Sequence, residues 1–369
     1  MRRQIGLAFL FILVLAVTPT TGLGGQPEQR VVEDMLGRKI TLPQKIKRIV
    51  PLGGAMRFVV YLNAFDLVVG VEGAESRLEA SSLRPYGLAI HQKATHLPVI
   101  GEGWLKPVNV EAVMTVHPDL IITAGFDAAK ANDLAQKTGV PVLGLGYGGS
   151  AGFLDMNEVI KALTLMGRVL GREQRAQEVV SFIETAQKDI LRRIGPSEKG
   201  GPSVYVGCLG SRGTHGITST DANYFPLEAV RGHNVAKGLG QRGHLFIDKE
   251  QLLVWNPAII LVDAGGLTIL KEDYARNRDF YDRLDAVKQG RVYSTPPYNY
   301  YYTNVEIALA NAYFTGQVLY PEKFADLNPG QKADEIFKFF TGVACYDQMQ
   351  KEFGGYQQLQ FVNGVINAH

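Results

Sequence analysis

The chain has 369 residues, of which 46% are hydrophobic and 20% charged. That balance suits one large or two medium globular domains and argues against disorder or a coiled coil. Lys and Arg number 38 against 36 Asp and Glu, so the basic surplus that phosphate-backbone binding requires is absent and no nucleic-acid partner is expected.

In chain order, the N-terminus comes first. Arg2 and Arg3 precede an apolar run from Ile5 to Val17, followed by the small and turn-forming residues Thr18 to Gly25. Thirteen residues at ~1.5 Å each fall short of a ~30 Å hydrocarbon core, so residues 1–25 read as a cleavable signal peptide rather than an anchor. The first cysteine is Cys208, far from any cleavage site, which disfavours a lipid anchor and points to an exported protein. Cys208 and Cys345 are the two cysteines of the chain; they leave one disulfide open and give no spacing for a cysteine zinc site.

The first lobe, 26–152, opens with strand signals at Arg48–Leu52 and Leu67–Val71, separated by a helix from Met56 to Leu62, and closes with a strand at Val140–Leu145. Within it, the segment from Asn109 to Ile122 (Asn-Val-Glu-Ala-Val-Met-Thr-Val-His-Pro-Asp-Leu-Ile-Ile) recurs from Asp248 to Leu261 (Asp-Lys-Glu-Gln-Leu-Leu-Val-Trp-Asn-Pro-Ala-Ile-Ile-Leu). Each copy has a capping residue, Glu two positions on (Glu111, Glu250), a short apolar-faced helix stopped before Pro (Pro118, Pro257), and a buried strand. Between the copies, apolar residues at helical spacing from Val159 to Leu191 predict a long connecting helix, or a broken pair, over 153–200, weakened at Gly167 and Gly171. Strands at Ser203–Gly207 and Arg291–Tyr293, with a helix near Pro226–Val230, complete a second lobe over 201–320. Alternation of this kind predicts two Rossmann-like α/β lobes with largely parallel sheets, whose ligands sit at the carboxyl-end loops. The tail 321–369 reads as a helical extension, with Ala333, Ile336, Phe337 and Phe340 on one apolar face.

In this order, the signal peptide, the repeat and the connecting helix resemble the periplasmic binding proteins of ABC importers for vitamin B12, ferric siderophores, haem and metal chelates. The likeness runs from about Val31 to Tyr320. It implies a non-enzymatic receptor without an intrinsic cofactor, a monomer that captures an iron(III) complex or related chelate between its lobes and delivers it to an ABC permease and, through it, an ATPase. It also implies that Glu111 and Glu250 face the permease and pair with arginines there. The competing reading is that each simply complements a helix dipole.

Ligand candidates follow from the loops. Trp104, in Gly101-Glu102-Gly103-Trp104, stands where the resemblance puts an aromatic contact and offers a broad apolar face with one donor. Tyr147 follows the last first-lobe strand, and Arg57 follows Gly53-Gly54 at the first helix start. His244 mirrors Trp104 in the repeat, as a ligand or as a surface histidine. The Gly-rich loop after Ser203–Gly207 carries Arg212, a planar fork for carboxylates, and His215. It lacks the Gly-Lys-Ser/Thr ending of a phosphate loop. Tyr298, Tyr300, Tyr301 and Tyr302 form the densest aromatic string, from which some members stack on a chelate or offer oxygen to a hard ion and others belong to the core. No direct metal ligand set is predicted. Cobalamin or haem are alternative cargoes of the same fold; a periplasmic sensor or an exported enzyme is the alternative of another class, although no nucleophile elbow or zinc-protease motif occurs.

Overall fold

A computed structural model describes residues 29–76, 81–103, 106–146, 154–196, 201–240 and 242–369. The signal segment, Trp104 and Tyr147 lie outside the described residues.

Both copies of the repeat fold alike, for the same local reasons. The Asn109 side chain accepts from the Ala112 amide at 3.0 Å and Asp248 from the Gln251 amide at 2.7 Å, which satisfies one orphan donor at the start of each helix. The helices Val110–Thr115 and Lys249–Trp255 each bury one central side chain, Val113 and Leu252. Left-handed residues follow them, His117 (φ 43) and Asn256 (φ 37), and the next residue is proline. His117 is therefore structural: its carbonyl accepts from Arg48 Nε at 3.0 Å. The strands that follow, Leu120–Ala124 and Ile259–Asp263, are buried throughout, and each is the middle strand of a parallel set.

In the first lobe Leu120–Ala124 pairs in parallel with Ile49–Gly53 on one side and Val142–Leu145 on the other. The expected strand at Leu67–Val71 is reduced to a 3-10 turn, Phe65–Leu67, and single parallel bridges at Val68 and Val71. In the second lobe six strands run in the order Val365–Ala368, Gln357–Val362, Val292–Thr295, Ile259–Asp263, Ser203–Gly207 and His233–Asn234. The last four are mutually parallel and the first two antiparallel. A small antiparallel pair, Ser219–Asp221 with His244–Phe246, stands apart from this sheet.

The connector is a broken pair, Met156–Leu170 and Glu173–Ile194. Gly171 ends the first helix at φ 66, its amide returning to the Gly167 carbonyl, a C-terminal cap that glycine adopts without strain. The second helix, at ~1.5 Å per residue, is roughly 33 Å long and buries Ala176, Val179, Ile183, Ala186, Ile190 and Ile194 along one stripe.

The tail differs from a purely helical extension. After the helices Pro329–Thr341 and Tyr346–Phe353 it forms the hairpin that finishes the second-lobe sheet, with Leu359 opposite Val292. Asn363 (φ 50) and Gly364 (φ 83) make its two-residue turn, for which Asn-Gly is the preferred pair. The helices meanwhile pack on the first lobe and the connector. Phe340 meets Tyr61 edge-on at 5.0 Å, Phe339 stacks on Phe182 at 3.9 Å, and Glu352 accepts from the Ser82 hydroxyl at 2.6 Å. One segment thus touches both lobes. Phe340 is fully buried, so Phe340→Ala is expected to lower the unfolding free energy by about 3–5 kcal/mol, measurable as a drop in the urea midpoint.

Candidate functional site

Parallel strands deliver all their following loops to one end. In the first lobe these loops follow Gly53, Ala124 and Leu145; in the second they follow Gly207, Asp263 and Thr295. The two ends meet through the tyrosine string.

Tyr301 (φ 48) and Tyr302 (φ 67) are both left-handed, a conformation costing roughly 1–2 kcal/mol per ordinary residue. It aims their rings at first-lobe backbone. A Cβ on Gly125 would fall 2.9 Å from the Tyr302 ring, and one on Gly103 would fall 2.5 Å from the Tyr301 hydroxyl; bare glycine is what lets the rings seat there. The Tyr301 hydroxyl donates to Glu72 Oε2 at 2.5 Å, and the Gly53 amide donates to the same oxygen at 2.7 Å. Arg57 donates to the Tyr301 carbonyl and lies 5.0 Å from the centre of the Tyr86 ring. Tyr86 in turn donates to Glu75 at 2.9 Å, and Glu75 pairs with Arg84 at 2.8 Å. One step along, Tyr61 donates to Glu306, whose other oxygen is buried without a partner.

These contacts correct part of the expected ligand set. Arg57 is fully buried; its guanidinium holds the lobe junction instead of facing a ligand. Tyr298 is also fully buried, 5.5 Å from the Tyr224 ring, and Tyr301 is engaged by Glu72. Tyr300 and Tyr302 keep partial exposure.

On the second lobe, Arg212 is exposed at the tip of a tight turn, in the left-handed region at φ 53. Behind it the two expected histidines come together, their ring centres 6.0 Å apart, and each meets Phe246 edge-on at 4.9 Å. Proton bookkeeping assigns their tautomers. His215 Nε2 is 2.8 Å from the Ser211 carbonyl, which can only accept, so Nε2 carries the hydrogen. His244 Nε2 is 2.7 Å from Ser219 Oγ, whose single hydrogen goes to the Leu209 carbonyl at 2.6 Å; here too Nε2 must donate. Both imidazoles therefore keep the lone pair on Nδ1. Burial, and secondarily the neighbouring His215, lower the His244 pKa, holding that ring neutral at pH 7.

Phe246 is 59% exposed and was missed in the sequence, where it lies two residues past His244 without a motif. On the first lobe, Lys130 sits 3.9 Å over the Phe126 ring; the signal for these was their place just after the Leu120–Ala124 strand. Glu111 and Glu250 are exposed near the starts of their helices. In the first lobe the start of the helix lies beside the loop that meets Tyr301: Val108 bridges Gly101 and the Asn109 amide donates to the Ile100 carbonyl. A cavity of about 340 Å³ opens elsewhere, beside Ile269 and Lys249. Its charges are mutually paired, Lys249 with Asp273 and Arg276 with Glu272, and it offers no unmatched group. Cys208 and Cys345 are free and buried in separate parts of the core.

Two α/β lobes meeting at the carboxyl ends of parallel strands, with a helical connector, define a two-lobed substrate-binding protein. The profile of the periplasmic binding protein family matches residues 58–299, and the chain belongs to that family, the non-enzymatic substrate-binding components of ABC transporters, which hold no cofactor of their own. It is 24% identical over 332 residues, 84% of this chain and 90% of the relative, to the molybdate-binding protein MolA of Haemophilus influenzae. It is 22% identical, over 77% of this chain and 88% of the relative, to YvrC, an ABC transporter substrate-binding lipoprotein of Bacillus subtilis. The structure of molybdate-bound MolA superposes with a TM-score of 0.66 at 20% identity, covering 85% of this chain and 98% of that one. A periplasmic solute-binding protein of Veillonella parvula gives 0.65 at 18% identity, covering 88% and 97%.

Burial raises the pKa of Glu72, Asp221 and Asp263 to about 7 each. Their folded values exceed the unfolded ones of roughly 4, so their contribution to stability is complete below about pH 4 and disappears as pH rises through 7. The melting temperature is expected to fall from about pH 4.5 to about pH 7, within the span of these titrations. Glu72→Gln should flatten that slope; an unchanged slope in thermal melts would remove Glu72 from the cause.

Proposed function

We propose that this protein captures a metal-bearing anionic ligand, an iron(III) chelate or related complex, between its lobes. The observation that carries the reading is the pair of imidazoles, His215 and His244, each bonded through Nε2 so that its neutral tautomer has the lone pair on Nδ1, beside the exposed cation Arg212. Imidazole nitrogen is a ligand for iron, nickel and cobalt, and a chelate with open coordination positions accepts two such donors. Phe246, Tyr300 and Tyr302 add aromatic surface for the organic part, with Trp104 and Tyr147 as further candidates. Cobalamin and haem share this chemistry. A second reading, an oxyanion, is favoured by the name of the Haemophilus relative and by the exposed Arg212 and Lys130.

The monomeric receptor then docks on its permease through Glu111 and Glu250, which recur at matched places in the two lobes. Export by a cleavable leader without lipid is our reading of the N-terminus, where no cysteine stands near the expected cleavage site.

Native mass spectrometry with metal analysis, on protein purified from its own periplasm, is expected to show a bound iron- or cobalt-containing mass. Titration should then show His244→Ala weakening a ferric chelate at least roughly tenfold, the loss of one good contact. Binding of molybdate alone, unaffected by His244→Ala, would favour the oxyanion. Double charge reversal, Glu111→Lys with Glu250→Lys, is expected to abolish uptake while leaving ligand affinity intact; lost affinity would overturn the docking assignment.

A further inference from the structure

We propose that each docking helix presents an apolar anchor as well as its glutamate: Met114 beside Glu111 and Val254 beside Glu250. The inference rests on the docking reading above and adds the chemistry of the surface that must receive it. Residues three or four apart share a helix face, and Met114 follows Glu111 by three while Val254 follows Glu250 by four. Both are exposed, Met114 at 48% and Val254 at 77%. Val113 and Leu252, fully buried, hold the other side of each helix against its lobe, so the carboxylate and the apolar group face outward together.

A single exposed apolar residue is ordinary on a protein surface. What singles these out is recurrence: two lobes far apart in sequence, one repeated unit, and an uncovered apolar group within one residue of the same place, next to a carboxylate. The carboxylates are also left available. Lys249, adjacent to Glu250, turns its ammonium to Asp273 at 2.7 Å and over the Phe280 ring at 5.1 Å. No ion pair to Glu111 or Glu250 occurs among the described residues. Charge complementarity commits the partner: a permease surface with two cationic side chains, each bordering an apolar hollow. The ion pairs steer approach and are screened by salt, whereas burial of Met114 and Val254 is not.

That difference supplies the test. Binding to the cognate permease–ATPase complex in nanodiscs is measured by biolayer interferometry at about 50 and about 500 mM NaCl, concentrations that take the Debye length from well above to well below 10 Å. The proteins compared are the wild type, Met114→Ser with Val254→Ser, and Glu111→Lys with Glu250→Lys. The apolar double variant is expected to bind at least roughly tenfold more weakly at both salts, and the charge-reversed variant to recover part of its deficit at high salt. If the apolar variant binds like the wild type while charge reversal impairs binding, the anchors are overturned and docking by the glutamates stands. If neither variant is impaired, the docking reading falls, and this inference with it. Both apolar positions are exposed, so unchanged melting temperatures separate lost contact from lost fold.

Discussion

Glu72 is the carboxylate on which the junction of the lobes turns. It sits buried at the end of the first lobe and accepts from the Gly53 amide of its own lobe and the Tyr301 hydroxyl of the other. A buried carboxyl is costly unless it is hydrogen-bonded, and here Oε2 gains its second donor, the Tyr301 hydroxyl, only with the two lobes in one relative placement. The left-handed backbone at Tyr301 and Tyr302 would not persist by itself; hydrogen bonds from both sides over-determine it. Around this point lie Arg57, Glu75, Arg84, Tyr86 and Glu306, all buried. Such networks contribute little net stability but penalise wrong arrangements heavily. The junction is thus specified by polar chemistry, while the interiors of the lobes are specified by packing.

From that placement follows the division of labour. One repeated unit supplies the central strand of each parallel set and, through its helix, a glutamate at the rim. The segments beyond the strands carry side chains of other chemistry: imidazoles, Arg212 and Phe246 on one lobe, Lys130 and Phe126 on the other. A receptor must report ligand capture to a membrane partner. In the first lobe the start of that helix lies beside the loop that meets Tyr301.

Much of this was legible in the sequence because it is written in short-range patterns. Capping residues, the apolar periods of the helices and the Pro-terminated repeat are local, and they located both central strands, the connector and the apolar face at Ala333, Ile336, Phe337 and Phe340. The break at Gly171 was visible as a weakness. The junction was not legible: Glu72, Glu75, Arg84 and Glu306 are spread over more than half the chain and look like surface charges until the fold gathers them. Tertiary context likewise decides which candidates are buried: Arg57 and Tyr298 are, whereas Tyr300 and Tyr302 keep partial exposure. The hairpin at the end was missed for a different reason. Asn363-Gly364 is a strong turn signal, but the flanking Gln357-Gln358-Leu359-Gln360 has too few apolar residues to read as a strand; pairing with Val292–Thr295 supplies what its own composition lacks.

That hairpin has a bearing on how the molecule is made. Its residues are made after every other strand of the sheet they finish, and the helices just ahead of them close over the first lobe. Neither lobe can reach its final packing until these residues have been made. Late closure of this sort delays stable folding of the nascent chain, keeping it in the loose state that passage through a membrane channel demands.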